Sequence, residues 1–314
     1  MENQNLFQKT FIMLFVIITG CSSDENQNND NESGVNISKM IKKTFHSHNN
    51  LGELLDNPIT SDSIEYILSN NRIVSYTGIL DIDRVPKNIN GNFMYLNDKI
   101  YQIEKYQNNV ILRKDTYTFI NSDSSIEILS ETPSSNRIYS KIVFTTQNDT
   151  TYSKNFASSD GINFSELIFP PPFKLMLDEN DNRIYFEESS RVRTYKYNGN
   201  NLTLSDFSNG NIHSYTHGLG INTEALIHKN TFGKKINSIL YDQGDATFNH
   251  YIFPVSPQLI SENILQGVTI ALGQNNPYTI ENKTTDKGYS YEIKISQVIN
   301  NIPFKIYSTE LIFE

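Results

Sequence analysis

The chain has 314 residues, of which 26 are basic and 35 acidic, for a formal net charge of −9. That balance, with no Lys/Arg cluster along the chain, repels a phosphate backbone and argues against a nucleic-acid partner. A single cysteine in 314 residues excludes an internal disulfide framework and a cysteine-ligated metal site. An apolar core must therefore hold the fold, and 18 Tyr and 18 Phe supply much of it.

The first element is the apolar run Phe11 to Ile18, followed by the small residues Thr19 and Gly20 and then by Cys21. Eight residues are too few to cross a bilayer as a helix, which needs roughly 20. The run suits the apolar region of a secretory signal, with Lys9 as a sparse positive flank. Ile18-Thr19-Gly20-Cys21 resembles the lipobox of bacterial lipoproteins. The resemblance implies cleavage after Gly20, a diacylglycerol thioether on Cys21 and acylation of the new amine by a fatty acid such as palmitate. Each buried methylene would add about 0.8 kcal/mol, and two or more chains anchor stably where one is marginal. Removing residues 1–20 takes away Lys9 and Glu2, leaving 25 basic and 34 acidic residues, still net −9.

Residues 21–36 open Cys-Ser-Ser-Asp-Glu and continue through Asn, Gln, Asp and Glu. Such a tract buries too little apolar surface to order itself and reads as a disordered tether. Its start resembles the acidic tracts that follow the cysteine in surface lipoproteins of Bacteroidota-type bacteria. That implies an outer-membrane location, lipid-anchored, with the body facing either the periplasm or the exterior.

From residue 37 to 314 the pattern predicts an all-β body, an extended antiparallel meander of hairpins. Ile37, Met40, Ile41 and Phe45 have the spacing of one short amphipathic helix or an irregular cap. Thereafter the period is two. Strands are expected at 73–79, 99–106, 109–113, 116–120, 125–129 and 137–144, separated by Asn, Asp, Ser, Gly and Pro clusters. Pro170-Pro171-Pro172 cannot lie in a central strand. It is either a hinge between domains 37–169 and 173–314 or a loop crossing within one sheet.

Tyr195-Lys196-Tyr197-Asn198-Gly199-Asn200-Asn201-Leu202 predicts a hairpin, because Asn-Gly accepts the positive φ of a tight turn. Together with Tyr241-Asp242, Asn275-Asn276-Pro277-Tyr278 and Tyr289-Ser290-Tyr291, it resembles the tyrosine-rich repeats of Rhs/YD-type proteins and of Bacteroidota lipoproteins that carry such hairpins. The resemblance covers about residues 180 to 314.

No motif for catalysis emerges, and no cofactor is implied. His213 and His217 are four apart within an alternating strand, about 13 Å, too far to share one ion, so they read as surface residues. His46 and His48 have no evident third ligand nearby. Asp178-Glu179-Asn180-Asp181-Asn182 resembles the opening of a calcium loop, but Arg183 and Ser189 stand where glycine and glutamate are needed, leaving a polar turn. Glu187 and Glu188 point to opposite faces of a strand and do not form a glycosidase pair. Asp62-Ser63-Ile64 and Asp149-Thr150-Thr151 match the short pattern that carries O-glycans in Bacteroidota-type exported proteins. That resemblance implies Ser63 and Thr150 as attachment sites. The expected function is an envelope binding or interaction module for a glycan or an envelope protein; the alternative is a hydrolase of such polymers with carboxylates from separate strands.

Overall fold

The computed structural model describes residues 36–48, 54–82, 85–121, 124–133, 138–168, 171–208, 210, 212–240, 261–270, 278–284, 290–299 and 302–313. The tether and the lipobox lie outside them. The first nine strands are β1 (Ile37–His48), β2 (Leu54–Ser69), β3 (Arg72–Ile82), β4 (Val85–Leu96), β5 (Lys99–Gln107), β6 (Val110–Ile120), β7 (Ser125–Thr132), β8 (Ile138–Gln147) and β9 (Thr150–Ser158). Next come β10 (Ser165–Glu166), β11 (Phe173–Leu177), β12 (Arg183–Glu188), β13 (Arg191–Asn198), β14 (Asn201–Phe207) and β15 (Ile212–Ile221). Two helices, α1 (Thr223–Phe232) and α2 (Lys234–Leu240), precede β16 (Asn263–Ile270), β17 (Tyr278–Thr284), β18 (Ser290–Ile299) and β19 (Ile302–Phe313).

The body is the all-β antiparallel meander that the period-two pattern predicts. Consecutive strands pair from β1 to β9, and β9 carries both β10 and β11 on its far edge. Pairing resumes from β11 through β16. At the other end β17 pairs β18, β18 pairs β19, and β19 returns to β1. The ladder ends, β16 and β17, approach within 8 Å at Cα, so the sheet curls round until they meet. The sheet also continues past the tri-proline segment, where Lys174 of β11 faces Tyr152 of β9.

Alternation gives each strand one buried face. Leu311, Met40, Tyr66, Tyr76 and Gly91 form one row across β19, β1, β2, β3 and β4, all turned to the core. Gly91 is required there: a Cβ would run into the Tyr76 ring and lie 2.6 Å from the Glu104 carbonyl oxygen. The opposite face carries ion pairs such as Lys39–Glu65 at 2.9 Å and Lys141–Glu127 at 3.5 Å.

Tight turns join the strands. Asn70-Asn71, Asn97-Asp98, Asn108-Asn109 and Asn148-Asp149 all have positive φ at both central residues. Asn and Asp tolerate that conformation, and its twist matches a hairpin.

Three sequence expectations are corrected. Residues 37–45 form strand, not helix: a bulge between Ile37 and Lys39 lets Ile37 and Met40, three apart, both face the core. A bulge thus imitates helical spacing. The strands expected at 109–113 and 116–120 are one strand, β6. Its charged centre stays in register because Asp115, fully buried, is held by Arg113 Nε at 2.6 Å, Lys105 Nζ at 3.3 Å and the Ser130 hydroxyl at 2.6 Å. The hairpin near 199 forms, but Asn198 pairs with Asn201, so the central residues are Gly199-Asn200.

The helices lie on the buried face. Asn222 caps α1 by accepting from the Ala225 amide at 3.2 Å, and Gly233, with φ 81°, ends it. Glu224, Ala225, Ile227, His228, Thr231 and Phe232 are buried and share one face of the helix, while Lys229 on the other side is exposed. Phe232 packs edge-on against Phe93 of β4, and Thr231 Oγ1 accepts from the Ile73 amide at 3.1 Å. On the other side Arg183 of β12, 1% exposed, donates from Nε to the Ser238 carbonyl at 2.8 Å and from Nη2 to that of Ile239 at 2.7 Å. The guanidinium thereby satisfies the last carbonyls of α2.

Candidate functional site

The outer face bears a groove of about 660 Å³ where the chain leaves β9 and returns. Its construction begins with the loop after Ser158. Asp160 accepts from the Ile162 and Asn163 amides at 2.9 and 2.8 Å and from the Ser158 hydroxyl at 2.7 Å. The Asn163 amide bond, then that Ser158 hydroxyl, hold its carboxyl far below the usual carboxylate range. The closed loop sets β10 against β9, with Glu166 opposite Phe156. Phe164 from this loop and Phe156 flank the Lys141 ammonium at 4.6 and 5.6 Å. The chain then passes Pro172, and the first amide after the prolines, Phe173 N, donates to Ser153 Oγ at 2.8 Å. β9 is thus covered by β10 near one end and β11 near the other, and the groove lies at the junction.

Register then aligns the side chains. Thr145 of β8 faces Tyr152 of β9, Tyr152 faces Lys174 of β11, and Lys174 faces Glu187 of β12. Lys174 Nζ donates to Glu187 Oε2 at 2.6 Å, and Tyr185 donates its hydroxyl proton to the same oxygen at 2.6 Å. These bonds hold Glu187 below its usual pKa, and the bond to Glu187 raises those of Lys174 and Tyr185. Lys174 also sits 5.6 Å over the Tyr185 ring. Lys154 reaches Glu166 Oε2 at 3.3 Å. Tyr152 is 46% exposed and presents its ring to the groove. Gln147 and Ser189 complete the polar wall.

Two anchored carboxylates, two ammonium groups, an aromatic ring and neutral hydroxyl and amide groups can grip a polar ligand. Glu187 itself is driven toward its ionised form, whereas a glycosidase acid must be held protonated.

The residues singled out from sequence fall elsewhere, with one exception. Glu187 is in the groove, and Glu188, on the other face, lies opposite Phe173 and Arg191. Cys21 and Gly20 lie outside the described residues. Ser63 sits in the middle of β2, half-buried, opposite Lys43 and Ile79; Thr150 begins β9, half-buried, opposite Gln147 and Met176. His213 and His217 are half-buried on the inner face rather than surface residues. The His213 ring lies tilted against Phe207, 4.9 Å between centroids, and His217 Nε2 lies 2.7 Å from the Leu202 carbonyl oxygen. Burial, reinforced by Arg193, lowers the His213 pKa. The 178–182 segment is a turn closed on itself, with Asp178 accepting from the Asn180 and Asn182 amides at 2.9 and 2.8 Å. His46 is half-buried on β1. Among the described residues no group of three or more His, Cys, Asp or Glu is arranged to hold a metal ion. Tyr152, Lys154, Glu166 and Lys174 carried no sequence signal, since only the pairing of β8, β9, β11 and β12 brings them together.

No protein-family model and no curated protein matches the chain. Among solved structures, a porin-like protein from Bacteroides uniformis ATCC 8492 aligns over 88% of this chain and 98% of its own, at 12% identity and a TM-score of 0.37. A likeness that distant carries no functional argument.

Proposed function

We propose that this protein is a lipid-anchored cell-envelope binding module that holds its ligand in the outer groove and does not transform it. The observation that carries the reading is the pairing of the groove carboxylates: Lys174 and Tyr185 both bond to Glu187, and Glu166 faces Lys154. Side chains fixed on strands and bonded to one another are preorganised for recognition. The address rests on the lipobox resemblance of Ile18 to Cys21 and on the acidic tether. Ser63 and Thr150 are the proposed O-glycan sites on the same exported body.

The test of mechanism is an incubation of the full-length protein with glycan and peptide panels, followed for both binding and product. Saturable binding without product is expected. Turnover of a panel glycan, abolished by Glu166→Gln or Glu187→Gln, would establish the hydrolase instead. The test of address is fractionation of cells that carry Cys21→Ala. The variant is expected to leave the membrane fraction and to lose the acyl mass; retention with unchanged processing rules out lipidation at Cys21.

A further inference from the structure

We infer that the ligand of the outer groove is a neutral oligosaccharide, laid along the row Thr145–Tyr152–Lys174–Glu187; the inference rests on the binding reading above and names its ligand class. The first argument is charge. Lys154 and Lys174 bring two positive charges, and Glu166 and Glu187 bring two negative ones, each paired within the groove at 3.3 and 2.6 Å. An anionic ligand would have to displace a carboxylate and a cationic one an ammonium, leaving a severed ion in place. A sugar hydroxyl both donates and accepts, so it can bridge a carboxylate and an ammonium without breaking either pair.

The second argument is shape. The row crosses four neighbouring strands, each directly opposed to the next. At about 4.8 Å per strand it measures about 14 Å, enough for a short oligosaccharide. Tyr152 lies within it, 46% exposed, and gives a flat apolar surface for a pyranose face. Thr145, Gln147 and Ser189 supply neutral partners along the wall. An extended peptide is recognised chiefly by pairing with an open strand edge. Here β9 already carries β10 and β11 on that edge, and the row lies on the face of the sheet.

The experiment is calorimetric titration of the full-length protein with neutral hexasaccharides (malto-, cello-, laminari- and manno-oligosaccharides), an oligogalacturonate, a chitosan hexamer and a peptide pool. At least one neutral hexasaccharide is expected to bind. Tyr152→Ala is expected to weaken it roughly tenfold or more, as for an aromatic anchor. Lys39→Ala, on β1 away from the groove, is expected to leave it unchanged, and circular dichroism verifies that both variants fold. Binding of only the oligogalacturonate, the chitosan or a peptide, still lost in Tyr152→Ala, overturns the neutral-sugar inference and leaves the binding module standing. Failure of every probe, or binding indifferent to Tyr152→Ala, overturns the groove itself.

Discussion

Lys42 on β1 and Glu224 on α1 form a buried ion pair between strand and helix, 182 residues apart in the chain, with side chains 10% and 4% exposed. The contact fixes α1 against the buried face of the sheet. Burial lowers the Lys42 pKa, partly offset by Glu224.

Breaking this pair from one side should cost far more than replacing it. Glu224→Gln leaves the Lys42 charge without its counter-ion and is expected to cost about 3–5 kcal/mol. Lys42→Met combined with Glu224→Leu is expected to cost less than either single change. Urea unfolding midpoints of Glu224→Gln, Lys42→Met, Glu224→Leu and the double variant decide it. A small, additive loss would mean that the pair does not anchor α1.

His228 should make stability fall in mild acid. Its ring is fully buried and stacked 6.1 Å from Phe232, and burial, then Lys42, holds its pKa well below 6.5. In the unfolded chain the ring takes up a proton below about 6.5, while the folded protein does not. The unfolded state therefore binds more protons, and stability rises with pH up to that point and then levels off. The slope contributed is at most about 1.4 kcal/mol per pH unit. His228→Gln is expected to flatten the profile between pH 5 and 6.5. An unchanged slope in the variant removes His228 as its source.

Gly91→Ala tests the inner row. The added methyl meets the Tyr76 ring and the Glu104 carbonyl oxygen, and the backbone side of that clash cannot rotate away. A loss of about 1–3 kcal/mol is expected, in line with overpacked cores. Thermal or urea unfolding of the variant beside the wild type measures it, and an unaltered midpoint would show that β4 moves away from Tyr76 and from the β5 backbone without cost.

The sheet should not conduct ions. A transmembrane barrel turns apolar residues to lipid and polar ones to its lumen. Here the buried face carries Met40, Tyr66, Ile103, Ile128 and Phe144, and the opposite face carries Lys–Glu pairs such as Lys39–Glu65 and Lys174–Glu187. Purified protein added to planar lipid bilayers is expected to give no stepwise conductance. Reproducible single-channel steps would contradict this assignment of faces.

The period-two pattern and the asparagine-rich turns by themselves determined the all-β class and most strand positions, because alternation and positive φ are local properties. Local signals also misled. A bulge at Ile37 reads as helical spacing, and the charged centre of β6 reads as a break until Ser130, Lys105 and Arg113 are seen around Asp115. Helix α1 shows no clear apolar stripe, since its buried face mixes Glu224, His228 and Thr231 with Ile227 and Phe232. The groove was beyond the sequence altogether. Tyr152, Glu166, Lys174 and Glu187 meet only because β9 pairs with β10 and β11 and β11 pairs with β12 in one register. Shifting one strand by a single residue would send its groove side chains to the core, and register is set by long-range packing that no local window contains.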